Sequence, residues 1–99
     1  MTSNIYDLKT IRQGFHQNPE LGFQEVETKA KIADLLRSYG LEVHEGVGVV
    51  GILRAGSGNR AIGLRADMDA LPILETSTHN YSSHKRGVMH ACGHDGHMT

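Results

Sequence analysis

From Asp67 to His97 the chain carries no sustained hydrophobic periodicity. A stretch of that length without a helix or strand pattern is uncommon in a compact domain, and where it occurs it is functional or disordered. It pushes the regular elements into the residues before it and the chemistry into the residues that compose it. Seven His stand in 99 residues, and His79, His84, His90, His94 and His97 all fall in the last 21. The single cysteine, Cys92, sits among them.

The residues before Asp67 have clear patterns. Ile5, Leu8, Ile11 and Phe15 recur at helical spacing, with Ser3 or Asn4 placed to cap the start. Asn18-Pro19 ends that helix, because a residue before proline is driven out of the helical region. After a break at Gly22 a second helix is predicted. Val26, Ala30, Ala33, Leu36 and Tyr39 mark its buried stripe, Ile32 and Leu35 widen it, and Gly40 closes it. Leu41 to His44, Val47 to Arg54 and Ala61 to Ala66 read as short strands. Gly56-Ser57-Gly58-Asn59 supplies turn chemistry between the last two, which predicts a hairpin there.

Gly46-Val47-Gly48-Val49-Val50-Gly51 matches G-x-G-x-x-G, with Asp67 and Asp69 about 20 residues on. The nucleotide-binding mechanism needs the third glycine to open a helix. Ile52 to Ala55 runs at once into Gly56-Ser57-Gly58, which leaves no room for one. The motif is read as a turn and a glycine-containing strand.

Charge and composition exclude further classes. Ten Lys and Arg against 11 Asp and Glu leave a net charge of −1, without the basic excess of a dedicated nucleic-acid binder. No apolar run approaches the roughly 18 residues of a spanning helix. The start of the chain has neither the basic nor the apolar block of a signal peptide. With one cysteine, no disulfide can form within the chain, and a cytoplasmic location is expected.

Met89 to Thr99 reads as a metal-site loop. His90, Cys92, His94, Asp95 and His97 place imidazole, thiolate and carboxylate donors within eight residues, the ligand types of Zn²⁺ and related ions. On a helix the side chains of Cys92 and His94 would diverge by about 200°, so the pair needs a turn or an extended segment. Gly93 and Gly96 favour such geometry and disfavour a helix that would put His90 and His94 on one face. Asp95 is a candidate to orient an imidazole or to bind metal itself. Asp67 and Asp69 follow a predicted strand, where open α/β sheets place functional groups. They would repel unless Arg65 or a metal compensates them.

Three blocks, Phe15 to Glu25, Leu64 to Pro72 and Met89 to His97, together resemble the N-terminal part of a metallopeptidase family. It is the aminoacylase/carboxypeptidase family, in the branch that holds hippurate hydrolases, N-acyl-L-amino acid amidohydrolases and plant auxin-conjugate hydrolases. The resemblance runs through essentially all 99 residues. It implies an α/β catalytic domain with a central sheet in two or three layers, to which this chain would give two helices, two to three strands and the metal-site loop. It implies two divalent ions (Zn²⁺, Mn²⁺, Co²⁺ or Ni²⁺), with Cys92 and His94 as ligands and His90, Asp95 and Asp67 beside them. Asp69 matches a position that supports a metal-ligating His in related branches; Asp67 stands where those branches have that His. The implied reaction is hydrolysis of an N-acyl amino acid, a small-molecule substrate.

Members are several times longer, often with a smaller inserted domain that makes a homodimer. Residues 1–99 are therefore expected to be an N-terminal fragment of the catalytic domain. The general-base Glu and the other ligands are expected beyond Thr99, where a helix should be starting, so the piece alone should not turn over. Its unpaired strand edges predict weak stability. The rival reading is a small non-enzymatic metal-binding module that closes His90, Cys92, His94 and His97 around one ion. No nucleic-acid or membrane partner is expected under either.

Overall fold

The computed structural model describes residues 5–99, with side chains from Asp7 onward. The cap expected at Ser3 or Asn4 and the side chain of Ile5 lie outside the described residues. Helix α1 runs Ile5–Gln17 and helix α2 Val26–Ser38. Strands β1, Glu42–Glu45, and β2, Val49–Ile52, pair antiparallel, with Val43 opposite Gly51 and Glu45 opposite Val49. A short helix α3, His94–Met98, ends the chain. No helix among the described residues is long and apolar enough to cross a membrane.

Helix α1 stops where the sequence predicts. Asn18 Nδ2 donates to the Gly14 carbonyl at 2.9 Å, and Pro19 behind it is fully buried. The next residue, Glu20, acts on the start of the second helix. Val26 lacks a capping side chain just before it, since Glu25 makes no cap hydrogen bond. The Glu20 carboxylate does that work from a distance: Oε1 accepts the Thr28 amide at 2.6 Å and Oε2 the Glu27 amide at 3.1 Å. Free first-turn amides and the positive helix end both favour a carboxylate there.

This contact also rolls α2. Thr28 is pulled inward and is buried with Ala33, Ile32 and Leu36 are half-buried beside them, and Val26 and Ala30 of the expected stripe are exposed. The helix closes at Gly40, whose φ of 85° is the left-handed form that glycine adopts freely. Leu41 N there bonds the Leu36 carbonyl at 3.1 Å, six residues closing to one.

The hairpin forms one strand earlier than expected. Gly46-Val47-Gly48 makes its turn, with Gly46 N bonded to the Gly48 carbonyl at 2.8 Å. A turn this short closes at less entropic cost than the 53–60 connection. The G-x-G-x-x-G stretch is thus a turn and a strand. Gly51 faces α2: a Cβ there would lie 3.0 Å from both Leu36 Cδ1 and Leu41 Cδ2. Ala61 to Ala66, the expected third strand, pairs with nothing among the described residues, and Ile62 and Leu64 are more than nine-tenths exposed.

Short backbone bridges then assemble the second half. Ala70 N bonds the Glu20 carbonyl at 2.8 Å beside a parallel Leu21–Ala70 bridge, and Leu71 and Met89 exchange bonds of 2.9 and 3.0 Å. The segment around Ala70 is thereby held between residues 20–21 and Met89, and the irregular 67–97 stretch becomes an ordered platform. The interior beneath it is polar. Phe15, Ala33, Ala70 and Pro19 share it with His16, Glu20, Thr28, His90 and Asp95.

Candidate metal centre

The 89–97 loop splits its polar side chains between two directions. His94, the first residue of α3, turns toward the 69–71 segment. Its Nδ1 lies 2.9 Å from the Asp69 carbonyl and 3.0 Å from Asp69 Oδ1. Both are acceptors, so Nδ1 carries a hydrogen, and Nε2 is the nitrogen left to face a metal. No hydrogen bond among the described residues engages that Nε2. This is how a carboxylate and a carbonyl fix a metal-binding imidazole. Cys92 is a free, exposed thiol two residues away, off the helix, as its spacing from His94 requires. The two donors fit a Zn²⁺-like ion in chemistry and in exposure. Asp69, which the sequence offered as a carboxylate following a predicted strand, is the residue whose carbonyl and carboxylate engage His94 Nδ1.

Asp95 points the other way. It is 2% exposed, and its Oδ2 lies 2.8 Å from His16 Nδ1 and 3.1 Å from Arg12 Nε, both on α1. The imidazole it orients is therefore His16, and neither His90 nor His94. His16 Nε2 in turn lies 3.0 Å from Glu75 Oε2. Glu75 also accepts the Ser77 hydroxyl and, at 2.7 Å, the Ser83 amide. Burial alone would raise the Glu75 pKa from 4.5, but the hydrogen bonds from Ser77, His16 and Ser83 overcome it and bring the value to about 2. Burial acts on Asp95 in the same sense, and His16 and Arg12 likewise hold it below its ordinary value. Nothing in the residue types alone points to His16 or Glu75; the available signals were the spacing of Arg12 and His16, one helical turn apart, and the place of His16 in the Phe15 to Glu25 block.

The remaining candidates occupy other positions. Asp67 is exposed and paired with Arg65 at 2.7 Å, so the compensating cation is the arginine. His90 is buried, with neither ring nitrogen hydrogen-bonded. Burial lowers its pKa, and the nearby Asp95 charge only partly opposes this. The His97 ring sits 5.9 Å from that of His94. Among the described residues no group of three or more His, Cys, Asp and Glu side chains is gathered to hold an ion. The closed four-ligand module is thus not assembled: His90 is inside while Cys92 is outside. The start of α3 also departs from expectation. Gly93, at φ 88°, opens the helix at His94, well before Thr99, and Gly96 is accommodated within it.

Glu75 carries a consequence for pH. Its folded pKa lies below its unfolded one, so its contribution to stability is complete above about pH 4.5 and is lost as the pH falls toward about 2. The urea midpoint is expected to drop across that window. In Glu75→Gln the drop should be smaller; an equal drop in the two proteins would show that Glu75 is not responsible.

Comparison with known proteins gives a consistent result. Residues 63–99 match the peptidase family M20/M25/M40. The chain is 51% identical over 96 residues to a hippurate hydrolase of Campylobacter jejuni, covering 94% of the chain and 25% of that protein. It is 50% identical over 93 residues to thermostable carboxypeptidase 2 of Saccharolobus solfataricus, covering 90% and 24%. Among solved structures it is similar to a Bacillus subtilis dinuclear metal binding peptidase from the M20 family. The TM-score is 0.87 at 39% identity, with 91% of the chain and 26% of that structure covered. The relatives are hydrolases, and the chain spans about a quarter of their length. The fold is the N-terminal portion of their α/β domain.

Proposed function

We propose, from a chain whose residues 63–99 match peptidase family M20/M25/M40, that the whole protein is a metal-dependent amidohydrolase of that family acting on N-acyl amino acids. The observation that carries this reading is the held His94 ring, with Nδ1 committed to Asp69 and Nε2 uncommitted, beside the exposed Cys92 thiol. The relatives support it by name and identity: a hippurate hydrolase, a carboxypeptidase and a dinuclear metal binding peptidase.

In this reading Cys92 Sγ and His94 Nε2 hold metal, and Asp69 keeps the imidazole in the tautomer that metal needs. Two divalent ions, when bound, supply the chemistry of water activation and carbonyl polarisation. The further ligands and the general base are assigned to the remainder of the catalytic domain, outside residues 1–99, and dimerisation to a separate, smaller inserted domain. A reducing cytoplasm keeps the Cys92 thiol free to ligate.

Hippurate tests the proposal. The complete protein loaded with Mn²⁺, Zn²⁺ or Co²⁺ is expected to release benzoate and glycine, and the chelated protein to release neither. A fully metal-loaded protein that leaves hippurate and other N-acyl amino acids intact would overturn the assignment.

A further inference from the structure

Helix α3 has five residues, too few to stand as a helix by itself. It is preceded by Gly93 in the left-handed region and contains Gly96, so its own backbone does little to fix its direction. Two side-chain holds fix it instead. His94 is tied to Asp69 on the 69–71 segment, and the next residue, Asp95, is tied to Arg12 and His16 on α1. Adjacent helical residues point about 100° apart. The two holds therefore pull from different sides and together set the roll of α3, and with it the aim of His94.

The second hold depends on His16. Its ring is buried, and each nitrogen meets a buried carboxylate, Asp95 at 2.8 Å and Glu75 at 3.0 Å. Each ring edge thus faces a carboxylate oxygen at hydrogen-bond distance, and a turn of the ring would break both contacts. Such a ring has no freedom of rotation. Glu75 is anchored in turn by Ser77 and the Ser83 amide. The line Glu75–His16–Asp95 thus links the 75–83 loop, α1 and α3.

We propose that His16 is a positioning residue for the metal loop: clamped between Asp95 and Glu75, it fixes the roll of α3 and so the direction of His94. This rests on the reading that Cys92 and His94 hold metal. A purely structural ion pair would move stability and leave the metal's surroundings alone, and that difference is measurable.

The test uses the complete protein and Co²⁺ as probe. The wild type is expected to show a thiolate-to-cobalt charge-transfer band that Cys92→Ala loses. If the wild type shows no such band, the metal reading fails, and this proposal with it. If the band is present, His16→Ala is expected to weaken Co²⁺ binding by about tenfold or more and to shift the ligand-field bands. Unchanged affinity and bands in a folded His16→Ala overturn the positioning role while the metal reading stands. Should His16→Ala not fold, Glu75→Gln decides, since it keeps the shape and removes the charge facing Nε2. A weakening of about threefold with shifted bands is expected of it, as a share of the larger effect, and wild-type behaviour overturns the proposal.

Discussion

Asp95→Ala is expected to lower stability by about 3–5 kcal/mol, the cost of removing one partner from a buried charge pair. The Asp95 side chain is 3% exposed and serves two partners at once, the Arg12 guanidinium and the His16 ring. The two losses are unequal. Arg12 is 39% exposed and can turn to water, whereas the His16 ring is shut in and keeps a hydrogen on Nδ1 with nothing to receive it. Most of the penalty therefore lies with His16. Asp95→Asn keeps a carbonyl oxygen of the same reach and should cost less. Urea titration of the two variants against the wild type measures the difference. A loss below about 1 kcal/mol in Asp95→Ala would place it in the range of exposed pairs and contradict the description of a buried one.

Asp69→Ala should behave in the opposite way, with a small effect on the fold and a large one on metal. Its side chain is 39% exposed, and its bond to His94 resembles a surface pair in stability. Groups that orient a ligand imidazole, however, typically contribute 10–100-fold to metal affinity. The main-chain carbonyl of residue 69, 2.9 Å from Nδ1, survives the substitution and continues to hold the tautomer. A loss of about tenfold in Zn²⁺ affinity is therefore expected, nearer the lower end. Competition against a chelating dye measures it. Wild-type affinity in a folded Asp69→Ala would mean that the carbonyl alone suffices or that His94 is not a ligand.

The parts of the fold legible from the sequence were those fixed by neighbouring residues. Asn18-Pro19 and Gly40 act within a few bonds of themselves, and both helices end there. The density of donors around Cys92 was visible for the same reason. What escaped was set by tertiary partners. Glu20 caps α2 from seven and eight residues away, which rolled the helix off the expected stripe. His16 and Glu75 look like ordinary polar residues in the sequence, because their role exists only once α3 arrives. Ala61 to Ala66 has a strand's composition, but a strand is a pairing, and nothing among the described residues pairs with it.

The bond between His16 and Asp95 spans 79 residues, and that between His16 and Glu75 spans 59. Contacts of such separation slow folding, since the chain between them must lose its freedom before they form. On the ribosome α1 emerges well before its partners: its buried imidazole meets Glu75 only after 59 further residues and Asp95 only after 79. Helix α1 therefore waits with its buried polar side chain unsatisfied, and the loop that carries Cys92 and His94 is the segment whose arrival completes it.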